Sequence, residues 1–354
     1  MLTLSCAAAP LARPTRPGAE VPGLHRPVPV PAPAAEAPVA PAKRPLASRR
    51  RANEAVSLAD FAQRHHLTLV WIEAGKRLQL KGDGLLVDLE IGSREFAIDG
   101  LRVFLGEAVR APQGIPQISR IDAERFVAPI LRPAVSAGPA PVLRTIVLDA
   151  GHGGRDTGKD NASQKVQEKT LTLDTVRRLK PLLEAQGYRV VLTRNDDRYL
   201  DLTERAEIAE RAGADLFLSV HYNSVEVGAE RVTGAEVFTM TPQDQLSTDQ
   251  KPDRQASLAN PGNLYDTWNS VLGFSLHQSL VNNLRVADRG LKHGRLAVLR
   301  LATCPAALVE AGYLSHPDET RRLATLEYRQ KIAEALADGI KAYAQALAAT
   351  QAKR

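Results

Sequence analysis

The sequence predicts an α/β fold, a twisted and mostly parallel sheet flanked by helices, preceded by a small α+β domain and a disordered tail. Three observations predict it. From Arg144 onward, continuous apolar runs alternate with segments of helical spacing, as in a parallel sheet covered on both faces. Between Val56 and Pro133, short strand-like pieces are separated by glycine turns. Residues 1–53 hold 11 of the 23 prolines and no Phe, Trp or Tyr, a composition that cannot bury a core. The predicted division is therefore a tail over 1–53, a small domain over 54–133, a Pro/Ala/Gly linker over 134–143, and a larger α/β domain over 144–349.

Charge narrows the classes of function. The formal net charge is +6, but the tail carries eight of the 46 Lys+Arg and two of the 40 Asp+Glu, leaving 38 of each in residues 54–354. A balanced body offers no basic face, so no nucleic-acid partner is expected. No apolar run reaches the roughly 18 residues of a membrane-spanning helix. Only Cys6 and Cys304 are present, which excludes a disulfide framework and a cysteine-based zinc site. The opening "MLTLSCAAAPLA" reads as the remnant of an export signal without its basic region. Within it "LTLSC" is similar to a lipoprotein cleavage site at Cys6, with Thr3 where a leucine is expected.

The elements follow in order. "SLADFAQRHH" has helical spacing with Ser57 as its N-cap; His65 and His66 at its end are adjacent and cannot both face one ion. "LTLVWI", "RLQL", "LLVDLEI", "REFAI" and "LRVFLG" read as strands. Beyond the linker, "TIVLDA" is a buried strand. "EKTLTLDTVRRLKPLLEAQG" is a helix stopped at Gly187, with Pro181 expected to kink it. "YRVVLTR" (strand), "DLTERAEIAERAG" (helix), "DLFLSVHYNS" and "TGAEVFTM" (strands), "TWNSVLGFSLHQSLVNNLRV" (helix), "AALVEAGYLS" (strand) and a terminal helix from "EYRQKIAEALADGI" complete the pattern. The polar segment 241–262, with three prolines, is expected to form a mobile lip on a cleft.

In sheets of this type ligands sit beyond the carboxyl ends of the strands. His152 follows "TIVLDAG", His221 follows "LFLSV", and Glu310 interrupts "AALVEAGY". Glu168 opens the helix that leaves the glycine loop. Taken singly, three of these are ordinary rim residues; Glu310 is harder to dismiss, because a carboxylate in a buried run needs a partner. A phosphate loop would also suit the glycines, but GxGxxG and GxxxxGK[ST] are both missing. Two imidazoles and a carboxylate suit Zn²⁺ with one position left for water, and a second carboxylate suits a general base. The residues alone leave open which glutamate takes which role. His277, His293 and His316 match no ligand position and are expected at the surface or behind the site. Asn223 is a candidate for orienting substrate, and Arg289 is expected to be solvated or salt-bridged.

"IVLDAGHGGRDTG", "EKTLTLD", "LFLSVHYNS" and "RGLKHGRLAVLRLATCPAALVEAGYLSHPDE" resemble the zinc-dependent N-acetylmuramoyl-L-alanine amidases of the third amidase class. That resemblance implies zinc ligands at His152, Glu168 and His221 and a catalytic carboxylate at Glu310. It also implies hydrolysis of the amide joining muramic acid to the first L-alanine of the peptidoglycan stem, and work in the cell envelope, periplasmic or secreted. Residues 54–133 resemble the copper-amine-oxidase N-terminal-like domain, without copper ligands, and are a candidate contact for an envelope partner. Two rival readings remain: another zinc peptidoglycan amide hydrolase, or a non-catalytic wall-binding protein.

Overall fold

The computed structural model describes residues 54–161, 163–248 and 254–352, so the export-signal remnant and Cys6 lie outside the described residues. Ser57 caps α1 (Leu58–Arg64) as expected, its hydroxyl accepting from the Ala59 and Asp60 amides. The five predicted short strands follow as β1 (Thr68–Glu73), β2 (Arg77–Gly82), β3 (Leu85–Glu90), β4 (Glu95–Ile98) and β5 (Leu101–Phe104), an antiparallel meander. Then come β6 (Thr145–Ala150), α2 (Glu168–Ala185), β7 (Arg189–Leu192), α3 (Leu202–Arg211), β8 (Leu216–Asn223) and β9 (Ala235–Met240). α4 (Asp266–Leu284), β10 (Asp288–Gly294), β11 (Ala306–Tyr313) and α5 (Leu326–Ala352) close the chain. α2 runs on through Pro181 to Ala185.

The strands order as β7-β6-β8-β11-β9-β10-β5-β4-β3-β2-β1 in one eleven-stranded sheet. β7, β6, β8 and β11 are mutually parallel, β9 runs antiparallel to β11, and β10 is parallel to β9. Both faces of this part are covered, which is why its strands read as unbroken apolar runs. Ile146, Leu148 and Ala150 point into one core with α2, α4 and α5, while Val147 points into the other with Ala209 of α3, Val298 and Leu299.

Residues 54–133 join the rest of the chain through a strand pair, with Leu291 of β10 opposite Val103 of β5. Phe61, Phe96 and Phe126 belong to the same continuous core as Leu272, Leu336 and Tyr343. Residues 134–143 are tied to α4, where Thr267 donates to the Ala137 carbonyl and the Trp268 indole to that of Pro139. Phe126 meets the His293 ring edge-on at 4.4 Å.

Segment 241–262 is not a mobile lip in its described part. Thr241, Gln243, Gln245 and Ser247 are buried. The Arg94 guanidinium donates to the carbonyls of Leu246 and Ser247 at 3.2 and 3.1 Å, and Gln245 donates to Ser119 at 2.7 Å. Arg295 bonds the Gln245 carbonyl from the other side. The local polarity that suggested solvent exposure serves instead to bridge the two parts of the chain. His277 and His293 are likewise buried, not at the surface: His277 bonds Asp288 at 2.7 Å, and His293 faces Thr239 and Phe126.

Arg94→Ala strips a donor from three carbonyls, those of Leu105, Leu246 and Ser247. It is expected to lower the unfolding free energy by about 1–3 kcal/mol, measured by urea denaturation. An unchanged midpoint would contradict the bridging role.

Candidate metal centre

β6 delivers the chain to the rim at Ala150, and the backbone turns sharply there. His152 lies in the left-handed region at φ 61°, followed by Gly153 and Gly154 with φ of 130° and 56°. The glycines on either side of His152 make room for other side chains. A Cβ at Gly151 would sit 2.3 Å from the His221 ring, and one at Gly158 would sit 2.5 Å from the Glu168 carboxylate and 2.6 Å from the His152 ring. Beyond the glycine loop, Asp160–Asn161 pairs antiparallel with Val166–Gln167. That pairing places the Lys159 amide 2.8 Å from the Glu168 carboxylate, to which it donates.

The parallel register carries the remaining residues to the same place. Val220 stands opposite Ala150, and His221 opposite Glu310. All four candidates from the sequence line one cleft of about 660 Å³. His152 Nε2 lies 3.1 Å from Glu168 Oε2, and His221 Nδ1 lies 3.0 Å from Glu168 Oε1. The two rings are edge-to-face, with centroids 4.9 Å apart. One donor atom from each of His152, Glu168 and His221 falls within 4.8 Å of the others. Tetrahedral bonds of about 2.0–2.2 Å require donor atoms about 3.3–3.6 Å apart, so small rotations of these side chains would admit one ion.

The layer behind the donors fits the same use. Asp156 Oδ2 holds His152 Nδ1 at 2.9 Å, leaving Nε2 as the coordinating atom. Glu168, nearly fully buried, accepts from the amides of Lys159 and Tyr222. Sequence reasoning missed Asp156, although its position four residues after His152 in the same glycine loop was a usable signal. It also missed Glu236, which stands opposite Glu310 across β9 and β11. Glu236 is buried, ion-paired with Lys292 at 2.7 Å, and accepts from Asn223. Asn223 thus holds a carboxylate beside the cleft. Arg289 donates to the Thr233 carbonyl, and His316 caps the helix Pro317–Leu323; neither reaches the centre.

Charge is distributed unevenly here. Burial opposes ionisation of Glu168, but hydrogen bonds and charge from His152 and His221 outweigh it and hold the carboxyl well below the usual range. Burial also opposes protonation of His152, while Glu168 and Asp156 outweigh it and raise its pKa above 6.5. Glu310 goes the other way. Burial, then repulsion from Glu168 and Glu236, pushes its carboxyl well above the ordinary value. Its Oε2 is sealed from solvent and has no hydrogen-bond partner.

The larger part of the chain, residues 146–342, matches the model of the N-acetylmuramoyl-L-alanine amidase family. The chain belongs to that family. Among curated proteins it is 31% identical over 241 residues to the N-acetylmuramoyl-L-alanine amidase AmiC of Escherichia coli, a match covering 60% of this chain and 57% of that protein. It is 30% identical over 201 residues to the probable cell wall amidase LytH of Staphylococcus epidermidis, covering 56% of this chain and 58% of that protein. The chain thus spans little more than half the length of these two amidases. Among solved structures, AmiC2 of Nostoc punctiforme is 32% identical with a TM-score of 0.48, covering 57% of this chain and 97% of that one.

Two outcomes follow from the geometry of this family member. Gly151→Ala drives a methyl group into the His221 ring and is expected to abolish stoichiometric metal uptake, read by elemental analysis of the purified protein; full occupancy would contradict the packing account. In the metal-free protein, the raised His152 contributes stability below its unfolded pKa of about 6.5, lost as pH rises through the folded value. The lowered Glu168 contributes above about 4.5 and loses that contribution as pH falls. The Tm of chelator-treated protein is therefore expected to fall as pH rises above about 6.5, and Glu168→Gln to flatten the slope. An equal slope in the variant would assign it to other groups.

Proposed function

We propose that this chain is a zinc-dependent N-acetylmuramoyl-L-alanine amidase that hydrolyses the amide between N-acetylmuramic acid and L-alanine in peptidoglycan. Its place of work would be the cell envelope, periplasmic or secreted. The observation that carries this reading is the meeting of three donor atoms within 4.8 Å, from His152, Glu168 and His221, beside the half-buried Glu310, whose inner oxygen has no hydrogen-bond partner. Membership of the amidase family supports it, as does the open cleft. The domain division is part of the proposal: residues 144–349 as the catalytic domain, and 54–133 as a unit like the copper-amine-oxidase N-terminal domain.

His152, Glu168 and His221 would hold the ion. Bound zinc supplies a Lewis acid that polarises a carbonyl and brings the pKa of a water toward about 7. Glu310 has the position and the proton affinity for both proton transfers. As a carboxylate it takes a proton from the attacking water; as the acid it returns that proton to the departing alanine nitrogen. A cation in the cleft would offset the repulsion that raises Glu310, favouring the charged form needed for the first transfer. Glu236, neutralised by Lys292 and held by Asn223, is not available for that work and fixes the wall beside it.

Glu310→Gln is expected to retain zinc and lose about 10²–10⁴ in turnover on purified sacculi. His152→Ala and His221→Ala are expected to lose the metal. Mass spectrometry of the digest should find intact stem peptides freed from glycan. Cleavage inside the stem would favour a different amide hydrolase, and no cleavage by zinc-loaded protein would favour a wall-binding role.

A further inference from the structure

Two arginines below the cleft do something that ion pairing alone does not explain. Arg205, on α3, is almost fully buried and ion-paired with the fully buried Asp149 at 2.7 Å. Its guanidinium also donates to the Ala150 carbonyl at 2.8 Å, the His152 carbonyl at 2.8 Å and the Leu200 carbonyl at 3.2 Å. Arg194, just beyond β7, is fully buried and has no carboxylate among its hydrogen-bond partners. It donates to the carbonyls of Ala150 (2.9 Å), Gly151 (2.8 Å), Lys169 (2.8 Å) and Asp196 (3.1 Å), and to the Thr172 hydroxyl (3.1 Å). The Thr172 hydroxyl in turn donates to the Gly151 carbonyl at 2.8 Å.

Three consecutive carbonyls, those of Ala150, Gly151 and His152, are thus each held by a buried guanidinium. The left-handed turn at His152 takes this backbone out of sheet pairing, so its carbonyls need donors from elsewhere. Water could provide them, but water leaves the loop free to relax. A planar guanidinium with donors in a fixed fork does not. Arg194 also spans two segments, because Lys169 follows Glu168 directly. One rigid cation therefore bonds the backbone just before His152 and just after Glu168, while touching neither side chain. A buried cation whose hydrogen bonds all go to neutral dipoles is unfavourable for stability, and only the more distant charges of Asp149 and Asp197 offset that cost. Burial and the Arg205 charge lower its pKa to about 10, still charged at neutral pH.

We infer that Arg194 and Arg205 are positioning residues, a carbonyl clamp that sets the spacing of the His152 and Glu168 donors before metal arrives. The inference rests on the metal reading proposed above.

The test uses the full chain and zinc itself. Arg194→Lys and Arg205→Lys keep the charge but lose the fork. Each is expected to weaken zinc about 10–100-fold in chelator competition and to shift the visible bands of the cobalt-loaded protein. The control is Arg329→Lys, another buried arginine, paired with Asp174 and bonded to the Leu323 carbonyl. It is expected to lower Tm while leaving zinc affinity within about 2-fold of wild type. If Arg194→Lys does not fold, the near-isosteric Thr172→Val removes the Gly151 bond and is expected to cost several-fold in zinc affinity. Wild-type affinity and an unshifted cobalt spectrum in the folded clamp variants would overturn the inference, whatever their Tm. If wild-type protein takes up no zinc, the metal reading fails separately. Hydrogen exchange at Gly151–Gly154 in metal-free protein then decides the clamp, which requires faster exchange in Arg194→Lys than in Arg329→Lys; equal exchange overturns it.

Discussion

The parallel register of β6, β8 and β11 is the constraint on which the site depends. Because Val220 stands opposite Ala150 and His221 opposite Glu310, His221 and Glu310 sit side by side in their strands at the level where β6 gives way to the His152 loop, and the side chains share one rim. A one-residue slip in any of these strands would turn its residue to the other face of the sheet. That register is enforced by two apolar cores, one on each face, which the alternating residues of β6 fill from opposite sides. The charged groups are then affordable only because each has an assigned neighbour. Glu168 lies between two imidazoles and two amides, Glu236 is matched by Lys292, and Asp149 by Arg205. Glu310 has an inner oxygen without a hydrogen-bond partner and lines the cleft, which makes it the reactive candidate.

Much of this was legible in the chain. His152, His221 and Glu310 stand at or near the ends of apolar runs, and Glu168 stands at the start of a helix, so general rules about α/β sheets bring all four to one rim. The strands of 68–104 were legible for a similar reason, since each is bounded by a turn with glycine. What could not be read was pairing at a distance. Nothing local in "VLTR" or "LTERAE" says that Arg194 and Arg205 point down to bond carbonyls of the His152 loop. Nothing in "TGAEVFTM" says that Glu236 meets Lys292 and not solvent. Polarity misled where it served tertiary contacts: Gln245 and Ser247 are buried and bonded to Ser119 and Arg94, each more than a hundred residues away.

The relation between residues 54–133 and the rest has the same character. A proline-bearing linker suggests loosely tethered units, yet β5 pairs with β10 and the cores merge. β10 in turn adjoins β9, which carries Glu236. Lys292, the partner of Glu236, sits within 5.9 Å of the Phe104 ring from β5. The small unit therefore borders the wall that backs Glu310, and its packing is one layer removed from the proposed chemistry.

The most direct test of the account is the coordination of bound zinc, read by zinc-edge X-ray absorption on the loaded full chain, alone and with each donor substituted. The account predicts two imidazole nitrogens and carboxylate oxygen at about 2.0–2.2 Å, with the nitrogen count reduced in His152→Ala and His221→Ala. A sulfur neighbour, an all-oxygen shell, or an unchanged spectrum in both histidine variants would contradict it.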